Sequence, residues 1–382
     1  MKNRYLRRFL KTALTLCLLA VLCAIPAGNV SAATVSAGAD VTGTGSSGGA
    51  PAVIYCPGVI STPSSADTSL TLSFVGDCSI GKLQIHGYEG TFDQYYDRFG
   101  PAYFFRNVRP VFDADDLTIA NYEGVLTNSN SRVPKGYNIK GRPEFIRVIA
   151  ESGIDAVSFA NNHKIDYGQQ GINDTVAAFD SIALPYAFDE HTALIRTEKG
   201  IKVGLVAANF VHDAEDVSHA SEYLYSGIAS LKAQQADLII ALVHWGKEGE
   251  HFPNADQQAV GHQCIDLGAD LVIGCHPHIL QGAEYYKERP ILYSLGNFCF
   301  GGNRNPGNKE TVIAQTVLRF SGQQLQSADL RILPARLSTA TDHNDYCPVL
   351  LDGAEGQAVI QHMNSYSAPF GVQFDEQGNA VR

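Results

Sequence analysis

Five apolar runs in this sequence each end in polar side chains that are able to bind metal ions. The runs span residues 70–75, 117–120, 156–160, 238–243 and 271–273. The polar residues that follow them are Asp77, Glu123, Asn162, His163, His244, His276 and His278. Taken singly, each has a simpler explanation, since an aspartate after a strand is usually a helix cap or turn residue. Their repetition after successive runs is what indicates a shared site.

The repetition predicts a metal site if the runs are parallel strands. In open parallel sheets, ligands bind outside the carboxyl ends of the strands, where all these side chains would meet. Polar groups gathered there without a ligand would be costly to dehydrate. His276 and His278 are alternate residues, so an extended segment would point both toward one ion. Carboxylate with imidazole suits Zn, Mn or Fe(II) better than Ca or Mg, and the number of ligands suffices for two ions. Two such ions commonly serve phosphoester hydrolysis.

The elements that must position these residues alternate between strand and helix. Helical segments are predicted at residues 101–112, 143–152, 169–181, 226–235 and 255–267. Such alternation indicates a largely parallel sheet with helices on its faces. Two later runs, 291–294 and 311–320, have strand character without helices between them and predict a second, mixed sheet. We therefore predict an α/β fold, a four-layer αββα sandwich, over residues 68–337. Residues 338–382 are expected to pack on it as an extension.

The N-terminal residues predict an exported protein. Residues 1–32 run from cationic to apolar to small side chains, the order of a secretory signal peptide. Their apolar run is short for a membrane-spanning helix, which needs about 20 residues. An uncleaved anchor nevertheless stays open as an alternative. Residues 33–67 are rich in Ser, Gly, Thr and Ala and indicate a linker. The expected location is extracellular or at the cell surface.

The net charge limits the classes of partner that we expect, and the cysteine spacing limits the disulfides. The formal net charge of −11 argues against nucleic acid, which requires clustered lysines and arginines. Lys135, Lys140 and Arg142 precede the third polar motif, where a solvated loop is favoured over contact with an anionic polymer. Six of the eight cysteines lie beyond the signal region and permit disulfides, but their spacing forms no compact framework.

Taken together, the motifs closely resemble the CapA family of poly-γ-glutamate capsule biosynthesis proteins, in the expected order from about residue 70 to residue 320. The segments that carry the resemblance are Gly76-Asp77, Asn121-Tyr122-Glu123, 160–168, 244–248, 274–278 and 293–298. That family is in turn similar to the calcineurin-like metallophosphoesterases, which have an αββα sandwich and a two-metal site. The resemblance implies a role in the synthesis or export of poly-γ-glutamate or another capsule polymer. The implied partners are an anionic surface polymer or its precursor, and membrane-bound polymer synthesis proteins.

The resemblance also implies roles for individual residues. Six of them would hold two divalent transition-metal ions, Mn, Fe or Zn: Asp77, Glu123, Asn162, His244, His276 and His278. His163 matches the histidine that protonates the leaving group, and Asp166, three residues on, would orient its ring. Glu248 and Asn297 would support the ligands or contact substrate. The alternative, that these two brace their own loops, is equally open.

Two positions depart from the phosphoesterase pattern. The first motif of those enzymes has a histidine two residues after the aspartate, and Ser79, a poor ligand, stands there in this chain. The second motif has Glu123 in place of an aspartate. Two functions therefore stay open at this point. One is a metal-dependent hydrolase of the phosphoesterase type; the other is a non-catalytic polymer-binding or export factor that keeps the fold and a metal site.

Overall fold

The computed structural model describes residues 67–381. The predicted signal peptide and all of the predicted linker except Asp67 lie outside these residues. The strands are β1 (Asp67–Ser79), β2 (Lys82–Leu83), β3 (Leu117–Tyr122), β4 (Val125–Leu126), β5 (Ile139–Gly141), β6 (Ala156–Ser158), β7 (Tyr186–Ala187), β8 (Ala193–Arg196), β9 (Lys202–Asn209), β10 (Leu238–His244), β11 (Leu271–Cys275), β12 (Ala283–Tyr286), β13 (Arg289–Leu292), β14 (Asn297–Phe300), β15 (Glu310–Ser321), β16 (Gln324–Arg336), β17 (Val349–Leu350), β18 (Gln373–Phe374) and β19 (Ala380–Val381). The α-helices are α1 (Phe92–Phe99), α2 (Arg109–Phe112), α3 (Ile146–Ser152), α4 (Gly168–Ser181), α5 (Ala220–Ala233), α6 (Ala255–Leu267) and α7 (Gly353–Ser367).

The larger of the two main sheets carries the first three polar motifs. Its strand order is β17-β16-β15-β1-β3-β6-β7, and β14 also pairs with β1. Strands β1, β3, β6, β7 and β14 are parallel, whereas β15, β16 and β17 are antiparallel to their neighbours. The register places Asp77 of β1 beside Asn121 of β3 and Asn297 of β14. Three polar side chains therefore meet where β1 ends.

The smaller main sheet carries the other two motifs. Its order is β12-β13-β11-β10-β9-β8, with β9, β10, β11 and β13 parallel. The expectation that all five motifs follow strands of one sheet is therefore wrong. The later runs do not form a separate sheet either, because β13 joins the smaller sheet and β15 the larger one. Alternation of strands and helices indicates parallel pairing, but it does not indicate which strands are neighbours.

The two sheets pack face to face with helices on both outer surfaces. Along β10, Leu238, Ile240 and Leu242 point into the core between the sheets, and the intervening Ile239, Ala241 and Val243 point outward. This two-residue alternation explains why the first six residues of β10 are all apolar. Burying each large side chain contributes about 1.5–3 kcal/mol.

Three separate apolar cores define the layers. The central core joins β1 and β15 to β9 and β10. A second core lies under α1, α3 and α4 on the outer face of the larger sheet, and a third lies under α5 and α6 on the smaller one. The order is helix, sheet, sheet, helix, so the predicted α/β αββα sandwich is confirmed.

The C-terminal helix α7 contacts one strand of each sheet. It packs against β16 and β12, and Val359, Ile360 and Met363 bury their side chains in the central core. Residues beyond 337 thereby hold the two sheets together along one side. Among residues 67–381, no helix combines the length and apolar character needed to cross a membrane.

Candidate metal centre

The ends of strands from both sheets converge on one cluster of carboxylates and imidazoles. β1, β3 and β6 bring Asp77, Glu123 and Asn162, while β10 and β11 bring His244 and His276. Direct contacts link the two groups, since Nε2 of His244 lies 3.0 Å from Oδ1 of Asn162. The sequence-predicted ligands therefore lie together, although they come from two sheets.

Asp77 is fully buried, and each oxygen of its carboxylate has a partner. Its Oδ1 accepts a hydrogen bond from Nδ2 of Asn121 at 2.8 Å, and its Oδ2 lies 3.1 Å from Nδ1 of His278. Burial raises the pKa of this carboxyl, but His278 and Asn121 outweigh burial and leave the pKa below its usual value. The preceding residue must be glycine, because a Cβ on Gly76 would lie 1.8 Å from the carbonyl oxygen of Gly296.

Glu123 is the most unusual group in the cluster. It is fully buried, and neither carboxylate oxygen has a hydrogen-bond partner. Nε2 of His163 lies 3.7 Å from Oε1, and Nε2 of His278 lies 3.9 Å from the same atom. Burial, followed by the charge of Asp77, raises the pKa of Glu123 well above its ordinary value. A buried carboxylate without a partner is costly, and a cation would remove that cost.

The donors of Asp77, Glu123 and His278 all lie within 4.8 Å of one another. A second group with the same spacing consists of Glu248, His276 and His278. His276 also has a buried Nδ1 without a hydrogen-bond partner. The unsatisfied atoms and the mixture of oxygen and nitrogen donors fit one or two divalent transition-metal ions.

Burial keeps two of the histidines neutral. Burial, and then the neighbouring His276 and His278, lowers the pKa of His244 well below its ordinary value. Burial, followed by His278, lowers the pKa of His276 to about 3. Neutral imidazole is the form that binds metal ions. At neutral pH these two side chains are therefore in the form that can bind a metal ion.

The backbone at His276 and His278 is not extended. β11 ends at Cys275, and the two histidines have φ angles of 98° and 59°. The sequence argument from an extended segment is therefore wrong, although the two rings still lie 5.7 Å apart between centroids. Left-handed backbone at a non-glycine residue costs about 1–3 kcal/mol and is typical of functional sites.

His163 and Asp166 form a buried pair next to Glu123. Nδ1 of His163 lies 2.8 Å from Oδ2 of Asp166, which also accepts a hydrogen bond from the backbone N–H of Ile139 at 2.5 Å. The N–H of His163 itself donates to Oδ1 of Asn161 at 3.1 Å. With Nδ1 engaged by Asp166, the ring directs Nε2 toward Glu123. This is the arrangement that a histidine acting as a proton donor requires.

Asn297 and Glu248, for which the sequence leaves two roles open, differ in their contacts. Asn297 is buried; its Oδ1 lies 3.0 Å from Nδ1 of His278, and its Nδ2 donates to the His278 carbonyl at 3.2 Å. Glu248 is largely exposed, and its Oε1 lies 4.0 Å from Nε2 of His278. Asn297 therefore orients His278, whereas Glu248 lies at the open side of the cluster. Ser79 is fully buried, and its Oγ has no hydrogen-bond partner.

The sequence analysis places Asn121 in a motif without giving it a role in the site, and it expects the side chain of Lys135 to be solvated. Nδ2 of Asn121 reaches Asp77 and lies 3.4 Å from Nδ1 of His244, so this residue links the two sheets within the site. Its position beside Glu123 at the end of β3 was the available signal. The loop around Lys135 is exposed as expected, but the Lys135 side chain is only 4% exposed and forms an ion pair with Asp166 at 2.7 Å.

A two-sheet α/β sandwich with a shared cluster of carboxylates and imidazoles is the class of protein that this fold and site define. Residues 71–302 match the family of bacterial capsule synthesis proteins, PGA_cap, and the chain belongs to this family. The resemblance found in the motifs is thereby confirmed.

Similar proteins include two from Bacillus. The capsule biosynthesis protein CapA of Bacillus anthracis is 29% identical over 292 residues, covering 70% of this chain and 67% of that protein. The PGA biosynthesis protein CapA of Bacillus subtilis (strain 168) is 26% identical over 321 residues, covering 79% and 80%. Among solved structures, a 5'-nucleotidase from Candida albicans is 14% identical and covers 80% of this chain and 58% of its own, with a TM-score of 0.40.

Proposed function

We propose that this protein is a metal-dependent hydrolase, of the phosphoesterase type, that acts in the synthesis or export of a capsule-type polymer such as poly-γ-glutamate. Family membership and the names of the Bacillus relatives support the polymer. The observation that carries the chemistry is Glu123, a fully buried carboxylate with no hydrogen-bond partner, 3.7 Å from the ring of His163. A buried site that assembles a carboxylate, neutral imidazoles and a proton donor suits hydrolysis.

The metal ligands in this proposal are Asp77, Glu123, Asn162, His244, His276 and His278. Six ligands are enough for two divalent ions, and their oxygen and nitrogen donors favour Mn, Fe or Zn. When bound, such ions would activate water and stabilise the oxygens that are displaced from phosphorus.

The protein's own residues would supply the proton and the access route. Asp166 holds Nδ1 of His163, so Nε2 is the atom that donates a proton to the leaving group. Asp77 and Glu123 are fully buried, whereas the side chain of His278 is 20% exposed and that of Glu248 is 66% exposed. Substrate would therefore enter from the side of His278 and Glu248.

The proposed location is outside the cell or at its surface. The cationic and apolar N-terminal residues, followed by small side chains at 30–33, support export. An anionic surface polymer or its precursor, together with membrane-bound synthesis proteins, would be the partners there. Fractionation of cells that express the full chain tests this, with recovery only in the cytoplasm as the contradicting result.

The enzymatic proposal is tested by elemental analysis of the purified full chain, followed by a phosphoester assay on the metal-loaded protein. We expect about two equivalents of transition metal and metal-dependent turnover. Asp77→Ala should lose metal, whereas His163→Ala should keep it and lose about 10²–10⁴-fold in turnover. His362→Ala is the matched control, because this exposed histidine pairs with Glu310 outside the cluster. Normal metal content with no ester cleavage under any metal loading would reject the hydrolase.

A non-catalytic polymer-binding or export factor is the second candidate. The observation that favours it is Ser79, a buried hydroxyl at the position where phosphoesterases have a histidine ligand. This function predicts polymer binding that survives His163→Ala and disappears with a chelator. Binding that a chelator does not affect would count against it.

A further inference from the structure

Lys135 is a buried cation next to the His163–Asp166 pair. Its side chain is 4% exposed, and its Nζ lies 2.7 Å from Oδ1 of Asp166. The same Nζ lies 2.7 Å from Oδ2 of Asp213 and donates to the backbone carbonyl of Asn162 at 2.8 Å. A side chain enclosed in this way has no surface left for contact with a polymer. Its partners all belong to the site or to the loop that follows β9.

The two oxygens of Asp166 have separate partners. Oδ1 faces Lys135, and Oδ2 faces both Nδ1 of His163 and the backbone N–H of Ile139. Asp166 is fully buried and its Oδ1 makes no hydrogen bond, and a buried carboxylate in that state needs a compensating charge. Lys135 supplies that charge, and its position fixes which oxygen is left for the histidine.

We infer that Lys135 is a positioning residue that holds Asp166 so that His163 keeps Nε2 directed toward Glu123. This inference rests on the proposed hydrolase function. In that reaction the oxygen of water bonds to phosphorus, the P–O bond to the alcohol breaks, and the leaving oxygen takes the proton from Nε2 of His163. One proton of the water stays on the phosphate product, and the other restores the proton on His163. Lys135 touches none of the reacting atoms. It acts through Asp166, in the way that residues behind a metal site orient those in contact with substrate.

A second buried lysine provides the control. Lys164 is 1% exposed and pairs with Asp189 and, at 2.8 Å, with Glu215. No contact joins its ammonium group to Asp166 or His163 in the described part of the chain. Both lysines tie the third motif to the loop that follows β9, because Asp213 and Glu215 lie in that loop. A purely structural effect should therefore appear in variants of either lysine.

The effect of Lys135 should depend on the leaving group. An alkyl alcohol leaves slowly without a proton, whereas p-nitrophenolate leaves readily as the anion. We expect Lys135→Met to lower kcat for butyl phosphate about 10–100-fold and for p-nitrophenyl phosphate less than about threefold, with metal content unchanged. Lys135→Arg should recover part of the loss, and Lys164→Met should lower both rates equally.

A crystal structure of Lys135→Met tests the inference independently of turnover. We expect Oδ2 of Asp166 to move beyond hydrogen-bond distance of Nδ1 of His163, from its present 2.8 Å. If that contact is retained, or if both esters lose rate equally, the inference is overturned. If the wild type shows no turnover, the hydrolase proposal fails, while the structure still decides the role of Lys135. If Lys135→Met does not fold, Lys135→Arg carries the test, with an intermediate change in the rate ratio expected and an unchanged ratio as the overturning result.

Discussion

The two sheets contribute different chemistry to one site. The larger sheet supplies oxygen donors, in Asp77, Glu123 and Asn162, whereas the smaller sheet supplies nitrogen donors in His244 and His276. Hydrogen bonds between the two sets cross the boundary between the sheets, from His244 to Asn162 and from the backbone N–H of His276 to Asp77. Neither sheet alone therefore contains the whole candidate site, which forms only when the sandwich is assembled.

The two sets also respond to burial in opposite directions. Burial raises the pKa of Glu123 and lowers the pKa of His244 and His276. In both cases burial disfavours the charged form. For the histidines the favoured neutral form is already the metal-binding form. For the glutamate the metal-binding form is the charged one, which burial disfavours and a bound cation would favour.

Replacement of Glu123 by glutamine should therefore have the largest effect. The amide cannot carry the charge that a metal ion needs, so turnover should fall about 10³-fold or more. Stabilisation by metal, about 2.7 kcal/mol at a hundred times the Kd, should also be lost. Thermal unfolding with chelator and with saturating Mn²⁺ measures the loss of metal stabilisation, and a phosphoester assay measures the loss of turnover.

Glu198→Gln is the matched control for that experiment, since Glu198 is an exposed glutamate. It should leave unfolding and metal response unchanged. If Glu123→Gln is stabilised by metal as strongly as the wild type, the oxygen donors are not required, and the contrast between the sheets does not describe a metal site.

His278 lies between the two sets and should make the metal-free protein sensitive to pH. Burial lowers the pKa of His278, but Glu123 and Asp77 outweigh burial and raise it to about 9. Folding thus favours the protonated ring. Its stabilisation is complete below the ordinary pKa of 6.5 and is lost as pH rises to 9, a decrease of up to about 3 kcal/mol.

Urea unfolding in chelator across this pH range measures the decrease. His278→Gln removes the titrating ring and should flatten the dependence on pH between 6.5 and 9. A wild-type curve as flat as that of the variant would show that the carboxylates of the larger sheet do not act on this histidine.

Local signals in the sequence predicted individual elements well. Residues 255–267 were predicted as a helix and form α6, where Asn254 and Gln257 cap the first turn through reciprocal hydrogen bonds. The segment 101–112 was less regular than predicted, with a 3₁₀ turn at Pro101–Tyr103 and only a short α2 at its end. Helix α1, which buries only Phe92 of its eight residues, was missed.

The pairing of strands could not be predicted from local patterns. Strand β9 went unrecognised, although it lies beside β10 and begins the parallel part of the smaller sheet. Without β9, the sequence pattern does not indicate that β10 and β11 belong to a different sheet from β1. The sequence nevertheless predicts that the candidate side chains lie together, and they do, because strand ends carry polar side chains whichever sheet they join. Contacts between distant segments, such as Lys135 with Asp166 and Asp213, depend on tertiary packing and leave no local pattern.

Replacement of Ser79 should have the smallest effect on metal content and stability, and it tests which residues of β1 bind metal. Asp77 and Ser79 are alternate residues of β1, both fully buried, yet only Asp77 has partners in the site. The Ser79 hydroxyl is buried without a hydrogen bond. Ser79→Ala should therefore leave metal content unchanged and raise the unfolding free energy by less than about 1 kcal/mol.

Elemental analysis measures the metal content of Ser79→Ala, and urea unfolding measures its stability. Ser73→Ala is the comparison, because Ser73 is buried in the same strand but its Oγ accepts a hydrogen bond from Gln315. Loss of metal from Ser79→Ala would make the hydroxyl a ligand. The first motif would then hold metal through a serine where the phosphoesterases use a histidine.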